Sequence, residues 1–291
     1  MATRGEHHEE IAGAVLAMRE RCVRIAHEAP VLADIVGTGG DGKGTINIST
    51  MAALVVAAAG IPVAKHGNRA ASGVCGSADV LEAAGFRVEL EPQTCTQMLR
   101  ETNFTFLFAP RFHPSMRVVA PVRHELGVRT IFNYLGPLTN PASPTHQVVG
   151  VATREAMGAV ALVFEVLGMR GAVVYGSGGL DEIAGEGITE CLEFGGGTPV
   201  PRAIDPAAFG IHVPLADLAG PSVESCRDAF LAILGGERSP RAAVVALNAG
   251  VAIAAVRGFV DLGAAFEEAQ ETLASGEPLR VFERARAIAR G

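Results

Sequence analysis

Apolar positions along this chain follow two periods in turn. Over residues 7–28, Ile11, Val15, Met18, Cys22 and Ile25 recur at helical spacing with Glu10, Arg19, Glu20 and Arg24 mostly opposite, which predicts an amphipathic helix ended by Pro30. Short apolar runs then alternate with longer periodic stretches. The runs at 33–36, 61–64, 86–90, 104–108, 147–151, 172–175 and 190–194 predict strands. Helices are predicted over 51–59, from Ser77 to a stop at Gly85, and over 93–101, 155–167, 223–234, 240–256, 262–274 and 278–289. A further helix is expected over 114–126, split by Pro121. The Gly-Pro and Asn-Pro pairs within 129–141 predict a shaped loop, and 195–221 reads as loop-rich. Strand–helix alternation of this kind defines an α/β protein, a central sheet flanked by helices, with a small α-helical domain beside it. The expected division sets 1–30 with 111–144 as the helical domain and 31–110 with 145–291 as the α/β domain.

Three glycine-rich stretches interrupt the pattern at strand ends, where open α/β sheets place their ligands. The first, Gly37 to Thr50, carries glycines at 37, 39, 40, 42 and 44 and the polar residues Asp41, Thr45, Asn47 and Ser49. Ser49 and Thr50 are expected to cap the following helix. Strand, glycine loop and helix N-terminus together suit an anion, because free N–H groups and the positive helix end face it. The second runs from Lys65 to Gly73 and on to Ser77; the third is Gly176 to Glu182. Asp181 and Glu182 fit Mg²⁺ beside a phosphate loop, or equally a solvated acidic turn. His66 is as suited to capping a turn as to orienting a substrate, and Arg123 read alone is a surface arginine.

Composition sharpens this. The net charge of −7 and the lack of a basic tract argue against nucleic acid. Of 24 lysines plus arginines only Lys43 and Lys65 are lysine, both in the glycine-rich stretches, where a compact ammonium suits phosphate. Five scattered cysteines without a Cys-x-x-Cys point to a reducing compartment and no structural zinc. Cys75 shows no arrangement that would activate it as a nucleophile. The polar start gives no secretory signal, and the apolar runs 51–64 and 242–256 fall short of the ~18 residues of a membrane span, so a cytoplasmic protein is expected.

The stretches GTGGDGKGTINIST (37–50), KHGNRAASGVCGSADVLEAAG (65–85), RTIFNYLGPLTNP (129–141) and GLDE (179–182) resemble the anthranilate phosphoribosyltransferase family, and the likeness of pattern spans nearly the whole chain. The resemblance implies a nucleoside-phosphorylase-like phosphoribosyltransferase fold and transfer of phosphoribose from phosphoribosyl pyrophosphate (PRPP) to the amine of anthranilate, with release of pyrophosphate. It implies PRPP contacts from Gly37, Gly40, Asp41, Thr45, Asn47, Ile48, Ser49 and Thr50, and from Lys65, His66, Gly67, Asn68, Arg69, Ala70, Ala71, Ser72, Gly73 and Ser77. It implies Mg²⁺ held by Ser49, Asp181 and Glu182, with Lys65, Asp181 and Glu182 as the catalytic set. Anthranilate would meet Gly37, Asn68, Arg123, Gly136 and Pro137. Members of the family usually begin with further helices that help build the small domain and a homodimer contact, so the chain reads as an N-terminally shortened member whose homodimer depends on that region. The rival readings are a transferase for another aromatic acceptor, a pyrimidine-nucleoside phosphorylase of the same fold, and a non-catalytic paralogue that binds phosphorylated ligand only.

Overall fold

A computed structural model describes residues 6–70, 73–116, 125 and 130–291. Among them, β1 (Ala33–Gly37), β2 (Val63–Gly67), β3 (Phe104–Phe108), β4 (His146–Gly150), β5 (Arg170–Tyr175), β6 (Thr189–Phe194) and β7 (Val200–Ile204) form one sheet in the order β3-β2-β1-β4-β5-β6-β7. The first five strands in sequence pair in parallel, and β6 and β7 extend the sheet antiparallel. Strands covered on both faces read as unbroken apolar runs, and β3, Phe-Thr-Phe-Leu-Phe, is buried throughout. The strand order reverses at β1, which lies between β2 and β4, so a crevice opens beyond the carboxyl ends of these strands.

Helices cover both faces. On one side α2 (Ile48–Ala58) and α9 (Pro240–Val256) are buried nearly all round, because α10 (Leu262–Ala274) and α11 (Glu277–Arg290) cover them from outside. With α3 (Ser77–Ala83), α4 (Pro92–Thr102) and α8 (Val223–Leu234) they enclose the larger core. On the other side α1 (His8–Arg21), α6 (Phe132–Leu138) and α7 (Arg154–Val166) build a second cluster with Val149, Val151 and Val173. A short α5 (Ala109–Phe112) follows β3.

Several expectations change here. The first helix stops at Arg21, not near 28, because Val23 bonds to Phe112 and Ile25 enters the larger core, contacts a continuing helix would forgo. Residues 86–90 alternate buried and exposed as a strand would, yet form no ladder among the described residues; Phe86 instead stacks on Phe282 of α11, ring centroids 6.1 Å apart. The loop-rich 195–221 contains β7, an edge strand whose Pro201 hid it. The loop expected around Gly136-Pro137 is the end of α6, where the Thr139 hydroxyl donates to Leu135 O at 2.8 Å. The helix expected over 114–126 lies almost wholly outside the described residues. No helix of the described residues is long and apolar enough to cross a membrane.

Candidate active site

The first wall grows directly from β1. Gly39 and Gly40 take φ of +70° and +77°, left-handed values that a Cβ disfavours. That turn brings the Gly39 amide onto Asp181 Oδ2 at 2.6 Å. The helix behind it starts one residue earlier than the expected Ser49 cap, and Asn47 holds the cap position without bonding the helix. Its side chain is used elsewhere: Nδ2 donates to Cys75 O at 3.0 Å, tying the first loop to the second, while the buried Oδ1 has no protein partner among the described residues. Cys75 also faces the cavity, but a hydrogen bond with Cys226 and burial push its thiol up, so it is no thiolate nucleophile.

The second wall begins inside the sheet. β2 runs on to Gly67, so Lys65 and His66 are strand residues, not loop residues as their polarity suggested. Strand alternation sends them to opposite faces. Lys65, 2% exposed, donates from Nζ to Ile35 O at 2.6 Å and to Ser49 Oγ at 3.3 Å, which sets its amine into the cavity floor. Burial lowers its pKa, and Asp34, Glu182 and Asp181 counter that. His66 Nδ1 lies 3.1 Å from Gly136 O. Burial, with His113 beside it, pushes His66 down to about 3, so it is neutral near pH 7 and its buried Nε2 is free of protein partners among the described residues. Beyond β2, Asp79 Oδ2 accepts from the amides of Ala70 (2.9 Å) and Gly76 (2.8 Å), which closes the turn into α3.

The third wall is the acidic pair after β5. Asp181 is 8% exposed, and Glu182 Oε1 accepts from the Ser49 amide at 3.2 Å. Asn248, buried in α9, brackets the next peptide group: Oδ1 accepts from Ile183 N at 2.9 Å and Nδ2 donates to Ile183 O at 3.0 Å. Asn248 was not singled out in the sequence, where a lone Asn inside the apolar run 242–256 was the available signal. Burial and then Asp41 push Asp181 up to about 7; burial and then Asp181 push Glu182 up to about 8. These groups form an all-oxygen donor set in which like charges crowd, a conflict that a hard divalent cation would relieve. Among the described residues no group of three or more His, Cys, Asp or Glu could hold a metal by itself. Such a cation would therefore complete its shell with phosphate oxygens and water, as Mg²⁺ does.

The raised values carry a pH consequence. Without a cation the folded state keeps protons that the unfolded chain releases, so this contribution favours folding below pH ~4 and is lost as pH rises through about 7 and 8. In metal-free buffer the unfolding temperature of Asp181→Asn/Glu182→Gln, taken relative to the parent chain, should therefore climb between pH 5 and 8.5. A gap independent of pH would refute the crowding.

The three walls share one cavity of about 530 Å³. Of the residues singled out in sequence, Gly37, Gly40, Thr45, Asn47, Ser49, Thr50, Lys65, His66, Gly67, Asn68, Arg69, Ala70, Gly73, Ser77, Gly136, Pro137, Asp181 and Glu182 line it. Asp41 and Ile48 do not: Asp41 stands against Asp181, and Ile48 is fully buried at the start of α2. Lys43 is off the wall too, and its amide donates to Asp41 Oδ1 at 3.1 Å. Ala71, Ser72 and Arg123 lie outside the described residues. Thr38, Gly39, Cys75, Ala109 and Phe132 join the lining without having been singled out as contacts. An open hollow of about 600 Å³ between α9 and α10 brings together none of the residues expected at the site.

Residues 29–279 fit the family model described as Glycosyl transferase family, a/b domain. The anthranilate phosphoribosyltransferase of Thermus thermophilus is 48% identical over 290 residues, covering 98% of this chain and 85% of that protein. A crystal structure of anthranilate phosphoribosyltransferase from the same species matches with a TM-score of 0.95 at 46% identity, over 100% of this chain and 88% of that one. The Saccharomyces cerevisiae anthranilate phosphoribosyltransferase in complex with PRPP and Mg matches with a TM-score of 0.90 at 29% identity, over 98% and 80% of the two chains. The chain belongs to the anthranilate phosphoribosyltransferase family.

Proposed function

We propose that this chain transfers the phosphoribosyl group of PRPP to the amine of anthranilate, releases pyrophosphate, and uses Mg²⁺ to do so. The observation that carries the reading is the meeting, in one cavity, of a left-handed glycine turn, a buried lysine and a crowded acidic pair. A leaving group with several negative charges needs that combination. Asp181, Glu182 and the Ser49 hydroxyl are the residues that would hold the cation. When bound, Mg²⁺ supplies charge neutralisation on the pyrophosphate oxygens.

The chain's own groups do the rest. Lys65 sets its amine in the cavity floor, where Asp34, Glu182 and Asp181 favour its charged form against burial. The unpartnered Asn47 Oδ1 is an acceptor suited to a ribose hydroxyl. Asn68, at the turn beyond β2, and the Gly136–Pro137 backbone form the side on which the acceptor would stack. An aromatic amine is a weak nucleophile, so holding it against the anomeric carbon supplies much of the rate, and no strong base is called for. His66, neutral near pH 7, suits that side because it adds no charge that would repel the departing proton.

Incubation with PRPP, Mg²⁺ and anthranilate tests this directly. Anthranilate fluorescence should fall only with all three present, one pyrophosphate appearing per anthranilate lost. Pyrophosphate release with a different aromatic amine, and none with anthranilate, would overturn the acceptor. Phosphate-dependent release of base from nucleosides would overturn the reaction.

A further inference from the structure

The mechanism leaves one buried charge unused. Asp34 is the second residue of β1, 0% exposed, flanked in the strand by Ala33 and Ile35 and paired across the sheet with Gln147. Ionised carboxylates are costly in such places, and an apolar residue there would commonly serve stability as well or better. A buried carboxylate is instead useful where several donors must be fixed at once. Its Oδ2 accepts from Asn140 Nδ2 at 2.9 Å and from Gln147 Nε2 at 3.0 Å, and its Oδ1 accepts from the His66 amide at 3.3 Å.

Each of these donors leads to the acceptor side of the cavity. Gln147 Nε2 also donates to Pro137 O at 2.5 Å. Asn140 Nδ2 also donates to Ala64 O at 2.7 Å, and the His66 ring meets Gly136 O at 3.1 Å. The segment 136–140 is thus fastened to the sheet at three points, all converging on Asp34 or on the residue that bonds it. Gly136 and Pro137 line the cavity; Asp34 and Gln147 lie behind it.

We propose that Asp34, acting through Gln147 and Asn140, is a positioning residue that sets where the Gly136–Pro137 wall stands, and with it the acceptor's approach to the anomeric carbon. The inference rests on the phosphoribosyl-transfer reading. It separates the two substrates: the phosphate-holding turn at 37–40 and the acidic pair have no bond to Gln147, whereas the acceptor wall has.

Gln147→Met is the cleaner probe, since it keeps the volume, removes both donated bonds and leaves Lys65 its carboxylate partner. It should raise KM for anthranilate about tenfold, the size of one hydrogen bond to a charged group, and change KM for PRPP less than twofold. Asp34→Asn should also raise KM for anthranilate but, because it removes the charge facing Lys65, should raise KM for PRPP and lower kcat as well, provided that it folds, which thermal unfolding will report. Equal rises in both KM values, or no change in either for folded Gln147→Met, would overturn the positioning role while leaving the reaction intact. A parent chain that consumes no PRPP with any aromatic amine would instead take down the functional reading and this inference together.

Discussion

Asp181→Asn combined with Glu182→Gln should lower kcat by at least about 10³-fold, with the fold retained. The size follows from what the pair is asked to do. Removing one preorganised group that stabilises developing charge commonly costs 10²–10³-fold, and this change removes two charges that together would hold the cation. The geometry gives little scope for substitutes, because among the described residues no third acidic, histidine or cysteine ligand stands with them to make a site. Asp41 is near Asp181, but it faces that carboxylate from off the cavity wall. The loop itself should survive, since Asn248 fixes the Ile183 peptide from below and an amide keeps the carboxylate's shape. Steady-state rates with saturating PRPP and Mg²⁺, alongside circular dichroism, check this. A folded double variant turning over within tenfold of the parent chain would remove the acidic pair from the mechanism.

Gly150→Ala should be nearly as damaging, although Gly150 does not line the cavity. It ends β4, where the backbone of the acidic loop crosses so closely that an added Cβ would lie 1.6 Å from Asp181 O and 2.3 Å from Asp181 C. Backbone cannot swing aside as a side chain can, so either the strand end or the acidic loop must move by roughly 1 Å or more. A misplacement of that size in a catalytic group costs on the order of 10²-fold in rate. Overpacking adds about 1–3 kcal/mol of destabilisation. Gly158→Ala in α7 is the control: nothing lies within 4 Å of its added Cβ, and alanine is the better helix former. Thermal unfolding and kcat of the two variants should diverge sharply; equal, small effects would show that the loop has more freedom than its packing allows.

These two positions illustrate what could be read from sequence and what could not. The glycine turn at 37–40 and the Asp-Glu pair are each local and visible in the sequence, although the pair read alone was equally a solvated acidic turn and the helix behind the turn starts earlier than its expected Ser49 cap. Most of the strand–helix alternation was legible too, because strands buried on both faces read as apolar runs separated by helical periods; among the described residues 86–90 and β7 were the exceptions. What escaped was the long-range support. Asp34 and Gln147 are 113 residues apart, Ile183 and Asn248 are 65 apart, and nothing local in either pair announces its partner. Gly150 fell within the expected strand 147–151 without being singled out, and only the crossing of a distant loop sets it against Asp181. The phase of β2 also mattered: placing Lys65 and His66 inside the strand sends one to the cavity floor beside Ser49 and the other toward Gly136.

The central claim is that the glycine turn, the buried lysine and the acidic pair form a single seat for a metal–PRPP complex. Calorimetric titration of PRPP into the protein, with Mg²⁺ and then with a chelator, measures that claim without requiring turnover. The account predicts one site per chain and at least tenfold weaker binding once the metal is removed. Binding of equal strength with and without Mg²⁺, or no binding in either buffer, would contradict it.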